Sequence, residues 1–433
     1  MRILFISNDL IAGHLAYLLK KEGHAVKLYI DEKGRRGNFD NLVTRVSDWK
    51  SELPWVGKNG LIVFDDVGYG FIGDALRKEG YTVFGASVNG DTLEQNRTYC
   101  QDIFSRYGLD VLPTKNFEDI GDAIHFVKKN PEAWVIKQNG AESKILNYVG
   151  FFDDGRDILD VLKTYKINNS HHSQLLTLQK KAVGVEIAVT RYFNGIDWVG
   201  PILMNMEHKK FLPGDIGPTT SEMGTLGWYT NDEGNKLFSN TLAKIKPYLQ
   251  KVNYRGVFDI NCIVNQEEAF PLEATSRIGS PIVHLQTELN NSPWSEIIFA
   301  IGKGKPYDLK YKTGFGIVVA VTIPPFPYAK KIEDHSQIGT HIYFLDGMTE
   351  EDKSHIHFEE VSWHKQNKQH YISDNRGYVL YVTGHGDTVQ EAQKMAYGII
   401  KKIHIPKMMY RNDIGQRFID ESEAKLRAWG YIS

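Results

Sequence analysis

Acidic and basic side chains suited to metal and phosphate chemistry flank a predicted hairpin over residues 256–274. Asp259 and Asn261 fall on its first strand and Glu273 on its second, and Arg277 follows shortly after. Mg²⁺ favours one or two carboxylates together with phosphate oxygens, and an arginine can stabilise charge on a transferring phosphoryl group. Asp259 and Asn261 share one strand face, so the register of the turn decides which of them opposes Glu273. The pattern indicates a metal and phosphate site, with both pairings open.

Lys137 is a second candidate, because it ends an apolar run at residues 134–137 that predicts a buried strand. Burying a lysine without an anion is costly, so a phosphate partner would account for its position. A salt bridge or an exposed sheet edge would account for it equally well. A phosphate-binding and a structural lysine therefore both stay open.

The segment of residues 214–224 combines three glycines, a proline, two acids and several hydroxyls. Backbone N–H donors together with Asp215 and Glu222 could hold a small zwitterion or a metal-bound phosphate. The alternative is an ordered surface loop. The mixture of residue types favours a binding loop.

Two other motifs have plainer interpretations. The glycine pattern at residues 68–73 follows a strand and opens a helix, as a dinucleotide site requires. However, Asp65 and Asp66 precede it and would repel a pyrophosphate, so tight-turn glycines are predicted. His355 and His357 share a strand face, but no third ligand lies near in sequence, and an exposed strand face is favoured over a metal site.

The elements that must position these residues change in character along the chain. Strands are predicted at residues 2–7, 25–30, 61–64 and 81–84, with helices at residues 15–21 and 71–79, which indicates a helix-covered parallel sheet. Asp91, with Glu94 three residues on, predicts one capped helix that ends at Gly108.

The middle of the chain predicts hairpins at Asn194-Gly195 and at residues 265–268, so its strands are antiparallel. The last hundred residues predict a strand at 378–382 and a helix at 388–403, capped by Thr388 and Glu391. The fold class is therefore α/β and α+β in several domains: an N-terminal parallel-sheet domain (1–107), a central domain (108–325) and a strand-rich C-terminal domain (326–433).

Composition limits the classes of function. The chain has 433 residues, of which 42% are hydrophobic, and a formal net charge of −2. A general nucleic-acid or membrane-surface binder would need a basic excess. Two cysteines provide neither a disulfide framework nor a zinc cluster, and no apolar run has the length of a membrane span. We expect a reduced, cytoplasmic protein that acts on small molecules.

Taken in order, these motifs resemble the phosphoribosylamine–glycine ligase family of ATP-grasp enzymes. The most specific match is Glu207-His-Lys-Lys210 followed by Gly214-Asp-Ile-Gly-Pro218 and Met223-Gly224. Further matching segments are Gly184-Val-Glu186, Tyr254-Arg-Gly-Val257, Leu272-Glu273, Gly386-Asp-Thr-Val389 and Tyr410-Arg-Asn-Asp-Ile-Gly415. The resemblance implies a pre-ATP-grasp domain, an ATP-grasp domain and a C-terminal domain.

The resemblance also implies a reaction and a set of roles. ATP phosphorylates a carboxylate to an acyl phosphate, and an amine then attacks to form an amide. The implied nucleotide contacts are Arg97, Lys137, Lys144, Gln179, Lys181, Ala182 and Glu186. Glu273 would ligate Mg²⁺, or Mn²⁺ in its place, together with Asp259 or Asn261. Asp215 would hold the amino group of the amino acid, and Arg277 would steady the transition state.

Several segments depart from the family pattern. The glycine-rich turn after the first strand is here Ser7-Asn-Asp-Leu-Ile-Ala-Gly-His14, and the family's second metal-ligand asparagine is Thr275. These changes favour a divergent ligase that joins glycine or another small amino acid to an amine. The purine-synthesis reaction with phosphoribosylamine is the first alternative, and an inactive nucleotide-binding protein is the second. A monomer or a homodimer is expected.

Overall fold

The computed structural model describes residues 1–138, 147–168, 176–328 and 336–432. Its N-terminal sheet consists of the strands β1 (Arg2–Ser7), β2 (Ala25–Ile30), β3 (Thr44–Val46), β4 (Leu61–Phe64) and β5 (Val83–Phe84). The strands are parallel in the order β3-β2-β1-β4-β5, which confirms the predicted parallel sheet. Since the chain places β2 on one side of β1 and β4 on the other, a crevice opens at the carboxyl ends of β1 and β4.

The helices of this part are α1 (Gly13–Lys21), α2 (Leu53–Val56), α3 (Gly70–Lys78), α4 (Val88–Gln95) and α5 (Arg97–Arg106). The predicted single helix from Asp91 to Gly108 is wrong in one respect. Ser87 caps α4, and Asn96, with extended backbone, caps α5 by accepting from the Tyr99 N–H at 3.0 Å. An asparagine side chain competes with helical hydrogen bonding, so it divides the helix. The Asp91 carboxylate instead accepts from the Gly70 N–H.

A small antiparallel sheet follows, with helices packed against it. Its elements are β6 (Thr114–Phe117), α6 (Ile120–Lys129), β7 (Trp134–Gln138), β8 (Tyr148–Val149), α7 (Arg156–Ile167) and β9 (Leu176–Lys180). The strand order is β6-β9-β7-β8. Apolar side chains of the strands and both helices form a separate core, which makes this small sheet a body of its own.

The next strands are β10 (Val185–Asn194), β11 (Trp198–Glu207), β12 (Lys210–Leu212), β13 (Ile216–Thr219), β14 (Gly224–Thr230), β15 (Arg255–Val264), β16 (Ala269–Thr275) and β17 (Phe315–Thr322). The helices between them are α8 (Lys236–Asn240), α9 (Leu242–Lys251), α10 (Ile282–Leu289) and α11 (Trp294–Gly302). Both predicted hairpins are confirmed, as β10 pairs antiparallel with β11 and β15 with β16.

The C-terminal elements are β18 (Tyr343–Phe344), α12 (Glu350–Ser354), β19 (Ile356–Phe358), β20 (Val361–His364), β21 (Gln369–Ile372), β22 (Tyr378–Gly386), α13 (Val389–Ile400), β23 (Ile403–His404) and α14 (Glu423–Ala428). The capping box of Thr388 and Glu391 on α13 is confirmed. No helix of the described residues has the length and apolarity to cross a membrane.

One eight-stranded sheet runs through the middle and C-terminal parts, in the order β16-β15-β10-β11-β14-β17-β22-β19. It takes strands from both sides of residue 325, so the last two predicted domains share a sheet. This large sheet and the N-terminal parallel sheet confirm the mixed α/β and α+β class. The domain boundaries themselves stay predictions.

The predicted exposed face at His355 and His357 is wrong, because both side chains are buried. His355 pairs with Glu288 at 2.5 Å, and the His357 ring stacks on His284 at 4.9 Å between centroids. The α1 residue His14 contacts the same rings. These histidines fasten α1 to α10 and β19, which is a packing role.

Candidate active site

Strand pairing settles which residue opposes Glu273. In the β15–β16 ladder Asn261 lies opposite Glu273, and Asp259 lies opposite Thr275. Asp259 is buried and accepts from the Thr190 hydroxyl, and burial, followed by the nearby charge of Glu207, raises its pKa to about 7. The register therefore places the amide of Asn261, rather than the carboxylate of Asp259, beside Glu273.

The Asn261 amide is poised between two acids. Its Nδ2 donates to Glu186 at 3.0 Å and to Glu207 at 3.2 Å. Its Oδ1 is buried and has no hydrogen-bond partner among the described residues. An uncompensated carbonyl oxygen beside the Glu273 carboxylate matches the oxygen donors that Mg²⁺ prefers.

Lys209 lies at the centre of the same acids. Its Nζ is 2.8 Å from Glu207, 3.2 Å from Glu186 and 3.7 Å from Glu273. Burial opposes its charge, but the three carboxylates, Glu207 foremost, raise its pKa well above the usual value. The structure thus holds a cation where acids from β10, β11 and β16 converge.

Glu207 and Lys209 were not among the predicted site residues. Glu207 ends β11 and Lys209 lies in the connection to β12, both within the Glu207-His-Lys-Lys motif that carried the family resemblance. The motif was the sequence signal for them, because Glu186 and Glu273, which Lys209 also contacts, are distant in sequence.

Lys137 faces this cluster from the small sheet. Its Nζ donates to the buried Gln179 Oε1 at 2.6 Å. Burial, followed by the charges of Arg97 and Lys209, lowers the pKa of Lys137 to about 7, although Glu273 and Glu186 oppose this. A phosphate bound beside this half-buried lysine would favour its charged form, which the neighbouring cations suppress.

Three further predicted nucleotide residues, Arg97, Lys181 and Ala182, lie among the described residues. The Arg97 guanidinium at the start of α5 lies 3.7 Å from Glu273 and donates to the Leu272 carbonyl at 3.4 Å. Lys181 donates to the Gly150 carbonyl at 2.7 Å, and Ala182 follows it in the connection to β10. Lys144, the remaining one, lies outside the described residues.

Arg277 connects the site to the N-terminal sheet. Its Nε donates to Glu94 of α4 at 3.0 Å. Burial opposes its charge, yet Glu94 and Asp66 raise its pKa. The arginine is therefore held between the large sheet and the crevice at the end of β4.

Asp215 is held by arginines from the C-terminal end of the chain, one of which also donates to the Glu207 carbonyl. It occupies the turn between β12 and β13, where Arg411 contacts it at 2.7 Å and Arg417 at 2.9 Å. Burial opposes ionisation, but the hydrogen bond from Arg411 and the charge of Arg417 lower its pKa. Any role of Asp215 toward an ammonium would have to compete with these two arginines.

Glu222, from the same loop, is buried close to the acids. Burial and then Glu207 raise its pKa well above the usual value, against the charge of Lys209. The Thr225 hydroxyl donates to its carboxyl group.

Among the described residues, no group of three or more His, Cys, Asp or Glu side chains is placed to hold a metal ion by itself. A metal at Glu273 and Asn261 would thus share its ligands with bound phosphate.

Family models match two segments of the chain. Residues 95–282 match the ATP-grasp (A) domain of phosphoribosylglycinamide synthetase, and residues 318–417 match its C domain. Together these segments include about two thirds of the chain.

Individual relatives extend the match over more of the chain. Phosphoribosylamine–glycine ligase of Fusobacterium nucleatum is 25% identical over 88% of this chain and 89% of its own length. The enzyme of the same name from Caldanaerobacter subterraneus is 24% identical over 79% and 80%.

Solved structures share the fold. Phosphoribosylamine–glycine ligase from Thermotoga maritima superposes with a TM-score of 0.69 at 20% identity, covering 96% of this chain and all of that one. The biotin carboxylase domain of Hydrogenobacter thermophilus 2-oxoglutarate carboxylase, solved with MgADP, has a TM-score of 0.64 at 12% identity, covering 100% of this chain and 99% of that one.

Proposed function

We propose that this chain, which belongs to the phosphoribosylglycinamide synthetase family of ATP-grasp ligases, joins glycine or another small amino acid to an amine. As a member of that family it is an ADP-forming carbon–nitrogen ligase. The observation that carries the proposal is the convergence of Lys137, Arg97 and Lys209 on Glu273, between the small and the large sheet.

The proposed reaction has two steps. A carboxylate oxygen of the amino acid attacks the γ-phosphorus of ATP, and the bond to the β-phosphate oxygen breaks to release ADP. The amine nitrogen then attacks the carbonyl carbon of the acyl phosphate, inorganic phosphate leaves, and the nitrogen loses a proton. Both steps need phosphate charge to be neutralised and the reactants to be held in line.

The residues of the site suit those needs. Lys137 and Arg97 would hold the phosphates, and Glu186 the ribose hydroxyls. Mg²⁺ would bind through Glu273 and the uncompensated Asn261 Oδ1, and when bound it would offset phosphate charge. Lys209 offsets part of the negative charge of Glu186, Glu207 and Glu273 in the free protein. Arg277, fixed by Glu94, would face the acyl phosphate from the N-terminal side.

Phosphoribosylamine as the acceptor is the second candidate, because it is named for relatives that match most of the chain. We further propose that the enzyme is cytoplasmic and uses Mg²⁺.

Hydroxylamine trapping tests the ligase without knowledge of the acceptor. The protein is incubated with Mg-ATP, hydroxylamine and each common amino acid in turn, and ADP and amino-acid hydroxamate are measured. We expect hydroxamate with glycine or another small amino acid. If no amino acid gives hydroxamate although calorimetry shows that the protein binds ATP, the protein is an inactive nucleotide-binding protein. A separate arm replaces hydroxylamine with phosphoribosylamine and tests the second candidate.

A further inference from the structure

Glu273, the proposed metal ligand, faces a cation at each of its two carboxylate oxygens. Its Oε1 lies 3.7 Å from the Lys209 Nζ, and its Oε2 lies 3.7 Å from a terminal nitrogen of Arg97. A metal ion at this carboxylate would therefore approach two positive side chains of the protein itself. Like charges at such distances repel strongly where water is partly excluded.

The Lys209 ammonium is placed by contacts within the chain. Its Nζ lies 2.8 Å from the Glu207 Oε2 and 3.2 Å from the Glu186 Oε1. Its backbone carbonyl accepts from the Thr220 N–H at 2.8 Å and from the Thr220 hydroxyl at 2.9 Å. Because both ends of this residue are held by the protein, the fold itself supplies a cation to the acids of the site.

The same two acid oxygens orient Asn261, the second proposed metal ligand. Glu186 Oε1 and Glu207 Oε2 accept from the Asn261 Nδ2 at 3.0 and 3.2 Å, and both oxygens also contact Lys209. This arrangement leaves the Asn261 Oδ1 buried, with no hydrogen-bond partner among the described residues. Since the two donors share two oxygens, the position of the ammonium and the orientation of the metal-binding amide are linked.

The side chains of the site already balance most of its charge. The carboxylates of Glu186, Glu207 and Glu273 are set against the two cations, Lys209 and Arg97. Mg²⁺ binds through one or two carboxylates together with phosphate oxygens and water, and a cation beside those carboxylates opposes it. Removal of Lys209 would double the uncompensated negative charge of these five side chains and leave both proposed metal ligands in place.

A bound nucleotide would change this balance. In the proposed site its phosphates lie against Lys137 and Arg97, and its ribose hydroxyls donate to Glu186. The phosphates compete with Glu273 for the Arg97 guanidinium and supply oxygen ligands of their own. The ribose competes with Lys209 for Glu186. Nucleotide binding would thus make the metal position more negative.

We propose that Lys209 is an internal counter-ion that keeps the metal position closed to free divalent cations until nucleotide is bound. The inference rests on the proposed ligase function and specifies how the metal site of that ligase is regulated. Lys209 acts through Glu186, Glu207 and Asn261, and it is therefore a positioning residue. Metal bound without nucleotide would have no phosphate to act on, and the resident ammonium prevents such a complex.

Mn²⁺ binding to the full chain without nucleotide tests the inference. Protein-bound Mn²⁺ is measured by water-proton relaxation enhancement, and free Mn²⁺ by electron paramagnetic resonance, at constant ionic strength. We expect Lys209→Met to bind Mn²⁺ at least about tenfold more tightly than the wild-type protein does. Lys425→Met removes an exposed lysine of α14 that pairs with Glu421, and it should leave the affinity unchanged.

Lys209→Gln separates the charge of the side chain from its hydrogen bonds. Glutamine can still donate to Glu186 and Glu207 but carries no charge, so the same gain in Mn²⁺ affinity is expected. This variant also provides the comparison if Lys209→Met does not fold. In the wild-type protein, ADP should strengthen the binding of Mn²⁺ to the protein at least tenfold.

Two results would overturn the inference. One is equal Mn²⁺ affinity of the wild-type protein and the Lys209 variants without nucleotide, and the other is wild-type Mn²⁺ binding that ADP does not strengthen. Hydroxamate formation is a separate measurement. Its loss in a wild-type protein that shows the expected Mn²⁺ behaviour would count against the ligase proposal alone.

Discussion

Lys137 is a residue whose charge depends on pH near neutrality. Its pKa is lowered to about 7, so the side chain is mostly neutral in the free protein at pH 8. A bound polyphosphate favours the charged form, and nucleotide binding should therefore take up a proton above pH 7. We expect ATP affinity to fall by about tenfold per pH unit well above pH 7. Calorimetry in buffers of different ionisation enthalpy measures both quantities.

Lys137→Arg is the matched variant for that measurement, because a guanidinium keeps its charge throughout this range. Its ATP affinity should be nearly independent of pH between 7 and 9, and binding should take up almost no proton. Equal proton uptake by the wild-type protein and the variant would mean that another group titrates.

Glu273→Gln tests the metal site at the scale of one atom. The change preserves the shape of the side chain but removes the charge that Mg²⁺ needs, so we expect kcat for hydroxamate formation to fall by at least about a hundredfold. Glu267→Gln, on the exposed turn of the same hairpin, should retain full activity. An active Glu273→Gln enzyme with ordinary Mg²⁺ dependence would refute the assignment.

Single residues were predictable to the extent that their chemistry is local. Lys137, Glu273 and Arg277 stand out in the sequence because each is a charged residue within or directly after a predicted apolar strand. The choice between Asp259 and Asn261 was not predictable, because the hairpin register sets it. The role of Lys209 depends on its neighbour Glu207 and also on Glu186 and Glu273, which lie on strands distant in sequence and so in no local pattern.

At the scale of elements, Gly70 and Gly73 serve close packing, whereas Gly68 provides a turn with positive φ. A Cβ on Gly73 would lie 2.4 Å from the Ala86 carbonyl oxygen, which joins α3 to the segment before α4. Gly73→Ala should lower the free energy of unfolding by about 1–3 kcal/mol without changing the affinity of the folded protein for ATP. Denaturant titration and calorimetry measure the two effects.

Gly398→Ala is the control for that change. Gly398 lies within α13 with open space at its Cβ position, so alanine should stabilise the protein by up to about 1 kcal/mol. A stabilising Gly73→Ala would show that α3 can move away from its neighbour, and the packing interpretation would then be wrong.

Elements were predictable where the local signals of the sequence agree. The Asn194-Gly195 turn and the Thr388 capping box each combine a turn or cap residue with apolar periodicity, and both are confirmed. The break between α4 and α5 was missed. Asn96 lies within a continuous apolar stripe, and only its extended backbone and its cap on Tyr99 reveal the helix end.

At the scale of the whole molecule, Arg35 fastens the N-terminal sheet to the C-terminal strands. Removing it would leave buried carboxylates without their counter-charge, so Arg35→Met should lower the free energy of unfolding by about 3–5 kcal/mol near pH 8. Arg45→Met, at a partly exposed ion pair with Asp40, should cost less than about 1 kcal/mol.

The effect of Arg35→Met should depend on pH. Burial raises the pKa of Glu360 to about 8 against the opposing charge of Arg35, and removal of the arginine would raise it further. A group whose pKa is raised by folding contributes stability at low pH that is lost as the pH rises through its folded value. The variant should therefore be closer to the wild-type protein at pH 5 than at pH 8. A difference that is constant across this range would count against unpaired carboxylates as the cause.

The assembly of the domains was the least predictable level. A proline-rich segment near Pro324 predicted a boundary, yet β17 before it and β22 after it are neighbours in one sheet. Sequence patterns mark where strands end, whereas the partners of a strand depend on contacts across the whole chain.

The continuity of that sheet has a consequence for how such a protein can change. β17 is apolar and paired on both edges, with β14 and with β22. A gene split at the proline-rich segment would leave each half with an unpaired, apolar strand edge, which promotes aggregation. Neither half is therefore expected to fold unless both halves are made together. For the same reason, the C-terminal strands cannot be exchanged between enzymes as a separate domain.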